Sequence, residues 1–179
     1  ERIILWFLNE THLKTSIWHK NVFAYRQGLS TEAALHKVIS KIEKARSYGN
    51  YTVMVFFDIE SAFNNVPVGS MIRALESTGV DNAIVRLVNN ILSNRDIYAE
   101  IAEEEGSKRV GRGCPQGGIL SPILWNLVMN EVMKVGEKLK AVEVFGYSDD
   151  LSMIAEGFDL TTVIQIVQHS INFYQNWAD

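Results

Sequence analysis

Three aspartates are the residues of this chain whose types and spacing could do chemistry. Asp149 and Asp150 lie together between two apolar stretches, 142–147 and 151–155, and Asp58 ends the apolar run 51–57. Taken singly, an aspartate is a common turn and cap residue. Two adjacent ionised carboxylates in a tight turn, however, repel each other by about 1 kcal/mol or more unless a cation or an arginine lies between them. A third carboxylate brought beside the pair completes an oxygen cage for one or two Mg²⁺ ions, which favour carboxylates, water and substrate phosphates. Two ions about 3.5–4 Å apart activate an attacking oxygen and stabilise a leaving one in phosphoryl transfer.

A second unusual segment is Gly113-Cys114-Pro115-Gln116-Gly117-Gly118. Its glycines suit a plain turn before a helix. Gln116 adds a two-pronged amide on a loop that backbone or a flat ligand can approach closely, so the loop could support a base or a sugar. Lys108, Arg109 and Arg112 precede it, and either track a phosphate backbone or are solvated hairpin charges. His12, His19, His36 and His169 have no ligand spacing with cysteine or acids.

Elements must bring these residues together. Ile3–Thr11 reads as an apolar helix. Ser30 starts an amphipathic helix with Leu35, Val38, Ile39 and Ile42 on one face, closed by Gly49. On another stripe Lys37, Lys41 and Lys44 form a solvated face or contact phosphates. Residues 51–57 predict a buried strand. Helices over about 70–78 and from Asp81, the latter presenting Ile84, Leu87, Val88 and Ile91, lead to a hairpin around Glu104, Glu105 and Gly106. Ser121-Pro122 starts a long helix reaching about Lys140. The two aspartates then sit at a hairpin tip, and a last helix, about 160–177, turns Val163, Ile166, Val167, Ile171, Tyr174 and Trp177 inward.

The chain has 179 residues, 47% of them hydrophobic and 21% charged, which places it among globular proteins able to hold a core without staples. The lone Cys114 excludes an internal disulfide framework and fits a reducing compartment. The apolar run Ile3–Leu8 is too short to span a bilayer, so no membrane partner is expected. The net charge of −4 argues against a nucleic-acid binder when taken whole. Its distribution argues otherwise: residues 1–50 carry +4, residues 51–150 carry −5 and the remainder −3. A basic front joined to an acidic middle suits a cation-holding site, although a solvated acidic surface would give the same count.

The motifs resemble those of one family, in its order. Phe56-Phe57-Asp58-Ile59-Glu60-Ser61-Ala62-Phe63 is similar to motif A of reverse transcriptases, Gly113–Pro122 to motif B, and Tyr147-Ser148-Asp149-Asp150 to the YxDD box of motif C. The segment from Ala24 to Glu32 resembles the fingers motif of non-LTR (LINE-type) retrotransposons, and Ser121–Glu131 is nearer that branch than the retroviral or group II intron enzymes. The wording around the boxes is most like the insect jockey, I and LOA elements.

The resemblance implies an α/β (α+β) polymerase palm with an antiparallel sheet and packed helices, and a largely helical fingers region. Fingers would occupy residues 1–50 and palm 51–179, with 67–113 as helices and a hairpin extending toward the fingers; a thumb is expected to be absent. It implies RNA-directed DNA polymerase activity on an RNA template, a DNA primer and dNTPs. Asp58, Asp149 and Asp150 would be catalytic and hold two Mg²⁺ ions, with Mn²⁺ a substitute and the Ile59 carbonyl a further ligand. Phe63 would be the gate that excludes ribose by a clash, where an ordinary core phenylalanine is the plainer reading. Gln116 and Gly117 would flank the incoming nucleotide and Arg26 its triphosphate; Lys108, Arg109, Arg112 and Tyr147 would face nucleic acid.

The pattern departs from the family at Leu29, where a basic residue is usual, and at Ser148, where alanine is common. The rest of a retrotransposon protein, including thumb and endonuclease, is an expected partner. Target-primed synthesis implies a nuclear location, besides a cytoplasmic ribonucleoprotein. Two rival readings are a non-catalytic, domesticated or decayed scaffold that binds RNA or protein, and a palm polymerase that makes RNA.

Overall fold

A computed structural model describes residues 1–101 and 104–178. Two compact units divide the chain: Glu1–Trp18 with Glu60–Val128, and His19–Ile59 with Met129 onward.

In the first unit, helix α1 (Arg2–Thr11) buries Ile4 and Leu8 and leaves Ile3 and Trp6 exposed. After the boundary come α3 (Ala62–Asn65), α4 (Val68–Glu76) and α5 (Asn82–Ser93). The Asp81 carboxylate caps α5 by accepting from the Ala83 N–H at 2.6 Å. The α5 face differs from the expected one by a residue. Val85, Val88 and Leu92 are buried while Leu87 is exposed. Two overlapping apolar stripes run along this helix, and packing against α4 selects between them. Strands β2 (Arg95–Ile101) and β3 (Glu104–Val110) form an antiparallel hairpin with Tyr98 opposite Ser107. Its connection at 102–103 lies outside the described residues. Pro67 bridges to Arg112 beyond the hairpin.

In the second unit, α2 (Thr31–Ser47) is capped by Ser30, whose hydroxyl accepts from the Ala33 N–H at 3.2 Å. Strands β1 (Tyr51–Phe57), β4 (Val142–Tyr147) and β5 (Asp150–Gly157) make an antiparallel sheet in the order β1-β5-β4. Helix α7 (Leu160–Ala178) packs on all three strands, and Val163, Val167 and Tyr174 are buried. The Trp177 side chain lies outside the described ones. Helix α6 (Ser121–Gly136) gives its first half to the first unit and its second half to this one. It stops at Gly136, short of the expected Lys140, where a Cβ would meet the Tyr174 hydroxyl and Val144.

Alternation along the strands separates two sheet faces. One carries Phe57, Val144, Gly146 and Met153. It meets α7 through the Phe57 and Tyr174 rings, 5.9 Å apart, and Gly146 leaves room for Met129 and Met133 of α6. The other carries Met54, Phe145, Tyr147 and Ile154, which pack with Phe23 and with Ala34, Val38 and Ile42 of α2. The inner stripe of α2 is thus Ala34, Val38, Ile42 and Ala45, while Leu35 and Ile39 are half exposed. Small alanines let the helix approach the sheet closely, and the larger residues beside them turn outward. Strand β1 is an edge strand and is only partly covered: Tyr51 and Phe56 are exposed.

Lys41 of α2 ties strands β5 and β4 to the helix, pairing with Glu156 at 2.7 Å and Glu143 at 3.4 Å. The hydrogen bond to Glu156 raises the Lys41 pKa and lowers that of Glu156. Burial pushes the Glu143 carboxyl up, but the Asn21 amide and the charges of Lys41 and Lys20 overcome it, so its pKa is lowered. Lys37 sits 5.8 Å from the Phe23 ring.

Candidate active site

The second unit positions the carboxylates. The last β1–β5 pair is Phe57 with Leu151, so Asp58, one residue further, is aligned with Asp150, the first residue of β5. Neighbouring strands lie about 4.8 Å apart, and alternation puts Asp58 and Asp150 on the face that carries Phe56 and Ser152. Asp149 occupies the two-residue turn between Tyr147 and Asp150, which pair with each other. Ser148, the first residue of that turn, has φ 55°, as primed hairpin turns require, at a cost of about 1–2 kcal/mol for a residue with a Cβ.

All three aspartates are exposed, and none takes part in an ion pair among the described residues. Among the described residues no three His, Cys, Asp or Glu side chains are gathered to hold a metal ion. Register therefore brings the three positions to one end of the sheet without closing a cage. The donor set nonetheless fits a hard divalent cation, because it is all carboxylate oxygen with no protein cation competing for it. Ile59 follows Asp58 and is half buried. Tyr147 is half buried against the Phe23 cluster.

The segment preceding α2 is strapped to the outer edge of β4. The Gly146 N–H donates to the Asn21 carbonyl at 2.9 Å, and the Phe23 N–H donates to the Gly146 carbonyl at 3.1 Å, with Val22 in a parallel bridge to Gly146. Two residues on, the Tyr25 hydroxyl lies 2.9 Å from the Ser148 hydroxyl. Arg26 donates to the Val22 carbonyl at 2.7 Å and the His19 carbonyl at 3.3 Å, and burial lowers its pKa. The sequence reading missed the Tyr25–Ser148 contact, because only tertiary pairing joins residues so far apart in the chain.

The first unit holds the nucleotide-side candidates. Phe63, half buried in α3, packs its ring 5.4 Å from that of Trp125 in α6. The start of the Gln116 loop is stitched to the same turn. The Cys114 N–H donates to the Phe63 carbonyl at 2.7 Å and the Gly113 N–H to the Val66 carbonyl at 2.8 Å. Gly113 has φ 74°, and a Cβ there would lie 2.8 Å from the Phe63 carbonyl oxygen, so only glycine fits. Arg95 donates to the Gly113 carbonyl at 2.6 Å. Gln116 is exposed and donates to the Asn64 side-chain carbonyl at 3.4 Å; Gly117 beside it has φ 82°. Cys114 is a buried free thiol, and burial pushes its pKa up to about 11. Lys108 and Arg112 are exposed, and Arg109 donates to Asn94 at 2.5 Å.

Comparison with known proteins bears on this arrangement. The family model described as reverse transcriptase (RNA-dependent DNA polymerase) matches residues 1–178. A 115 kDa protein of a type-1 retrotransposable element of Drosophila melanogaster is 29% identical over 157 residues, 87% of this chain and 15% of that protein. The RNA-directed DNA polymerase from the mobile element jockey of the same fly is 26% identical over 187 residues, 100% of this chain and 20% of that protein. The chain thus spans 15–20% of these relatives' length. Among solved structures, apo telomerase from Candida tropicalis, truncated from its C-terminal domain, superposes with a TM-score of 0.68 at 12% identity, over 96% of this chain and 36% of that one. The likeness is one of fold, and it agrees with a mixed palm of antiparallel sheet and packed helices. Motif order, sheet register and the family match over nearly every residue converge: the chain belongs to the reverse transcriptase (RNA-dependent DNA polymerase) family.

Proposed function

We propose that this chain is the fingers and palm of a non-LTR retrotransposon reverse transcriptase, fingers over 1–50 and palm over 51–179. It joins a dNTP to a primer 3′-OH on an RNA template. The observation that carries this reading is the alignment of Asp58 with Asp150 beside the Asp149 turn, on an exposed end of the sheet.

Asp58, Asp149 and Asp150, with the Ile59 carbonyl, are the groups that would hold Mg²⁺ or Mn²⁺. Such ions, when bound, lower the pKa of the primer hydroxyl and offset charge on the departing pyrophosphate. The chain's own contribution is placement. The β1–β5–β4 register fixes the carboxylate backbones, and Trp125 holds the Phe63 ring as a wall against a ribose 2′-OH. The bond from Cys114 to the Phe63 carbonyl ties the Gln116 loop to that wall. Gln116 and Gly117 then offer an amide and open backbone to a nucleotide, and Lys108, Arg109 and Arg112 offer charge to a phosphate backbone. Arg26 reaches a triphosphate only by leaving the Val22 carbonyl. Synthesis primed at chromosomal DNA, as part of a larger polypeptide, would require entry to the nucleus.

Incorporation of dTTP on poly(rA) primed with oligo(dT), by the chain and by the longer protein the resemblance implies, tests the reading. Extension that needs Mg²⁺ supports it, and no extension by either contradicts it. A second reading is a non-catalytic scaffold, since among the described residues no three His, Cys, Asp or Glu side chains are gathered to hold a metal ion. It predicts no saturable Mn²⁺ binding at millimolar concentrations.

A further inference from the structure

Three non-glycine residues among the described ones have positive φ: Tyr25 at 54°, Ser61 at 51° and Ser148 at 55°. Left-handed residues with a Cβ persist only where their surroundings hold them, and such strain gathers at functional sites. Two of these three touch each other through their hydroxyls. Tyr25 is brought there by the strap on β4, whose bonds at Gly146 lie two residues before Ser148. Arg26, the next residue, closes the bend that contains Tyr25 by donating back to the Val22 carbonyl.

From this geometry we infer that Tyr25 and Ser148 are a positioning pair that fixes the Asp149 turn. The inference rests on the polymerase reading for its catalytic consequence and on the hydroxyl contact for its mechanism. Ser148 adjoins Asp149, and either hydroxyl can donate in the bond. Held by Tyr25, the Ser148 side chain cannot turn without moving the strap, so the turn is restrained to one backbone conformation and the Asp149 carboxylate swings over a narrower range. An alanine at position 148 would leave the Tyr25 hydroxyl with solvent alone at this end of the strap. The pair is therefore a second support for the turn, in addition to the Tyr147–Asp150 strand pair.

The test is a double-mutant cycle in the full chain, with Tyr25→Phe, Ser148→Ala and both together. Tyr25→Phe keeps the ring and its packing, so loss of the fold is not expected. Amide hydrogen exchange at 148–150 is expected to quicken roughly three- to tenfold in each single variant, the worth of one hydrogen bond, and no further in the double variant. In primer extension the same variants lower kcat by a similar factor while KM for dTTP and for primer-template is unchanged. Additive exchange effects, or exchange equal to that of the parent, would overturn the pair. Asp149→Asn serves as the separate control. If extension survives that change, the polymerase reading fails, while the exchange cycle still decides whether Tyr25 holds the turn.

Discussion

Asp58 stands one residue beyond Phe57–Leu151, the last pair of the β1–β5 ladder, in line with Asp150, the first residue of β5. Asn at 58, 149 or 150 should therefore abolish primer extension, by about 10³-fold or more, since a metal site supplies several kcal/mol of transition-state stabilisation. None of the three carboxylates is in an ion pair among the described residues, so the fold does not depend on them. Melting in metal-free buffer should stay level, or rise for Asp149→Asn, where a like-charge neighbour is removed. Circular dichroism melts beside extension assays check both halves.

Phe63 packs against Trp125 at 5.4 Å. Phe63→Val should keep part of that packing while opening the wall. The kcat/KM for UTP relative to dTTP should rise by roughly 10–200-fold, the range a few methylene groups control in a pocket. Unchanged selection would remove the gate from Phe63 and leave the metal site untouched.

Gly113→Ala should lower stability by about 1–3 kcal/mol, because its Cβ would lie 2.8 Å from the Phe63 carbonyl oxygen and 2.5 Å from that of Asn64. The displaced segment carries both Phe63 and the Gln116 loop, so KM for dTTP should rise in step. Urea unfolding and steady-state kinetics measure the two effects. A Gly111→Ala control meets no atom within 4 Å and lies outside the left-handed region, so both measures should stay level.

Lys41 lowers the Glu156 pKa from its ordinary 4.5, so the folded protein holds fewer protons on that group than the unfolded chain does. The pair thus stabilises above about pH 4.5, and that stability is lost as pH falls through the lowered folded value. Lys41, raised from 10.5, contributes below that pH and loses its contribution as pH rises through the raised value. Lys41→Met should flatten the acid side of the stability curve below about pH 4.5, where Glu156 takes up its proton. With side chains about 30% exposed the effect at neutral pH is small, roughly 0–1 kcal/mol. Melting temperature against pH measures it.

Local signals made much of this fold legible. The unbroken apolar run 51–57 marks β1 residue for residue, and Gly79 and Ser121-Pro122 punctuate the helices where the structure breaks them. The α2 and α5 faces were misread because several apolar stripes share each helix, and only the packed neighbour selects one. Burial of β1 was overestimated, since composition does not tell an edge strand from a central one. Within the site, the aspartates were legible from their motifs. The Phe63–Trp125 stack, the glycine seat at 113 and the Tyr25–Ser148 bond depend on residues distant in sequence, and no periodicity encodes them.

The central claim is that three carboxylates from two distant segments, Asp58 and the adjacent Asp149 and Asp150, jointly hold divalent cations. Mn²⁺ titration followed by electron paramagnetic resonance, on the parent and on Asp58→Asn and Asp149→Asn, measures this without requiring turnover. Saturable binding in the parent, weakened at least tenfold by either substitution, is the predicted result. Binding that is absent in the parent, or unchanged in both variants, would contradict it.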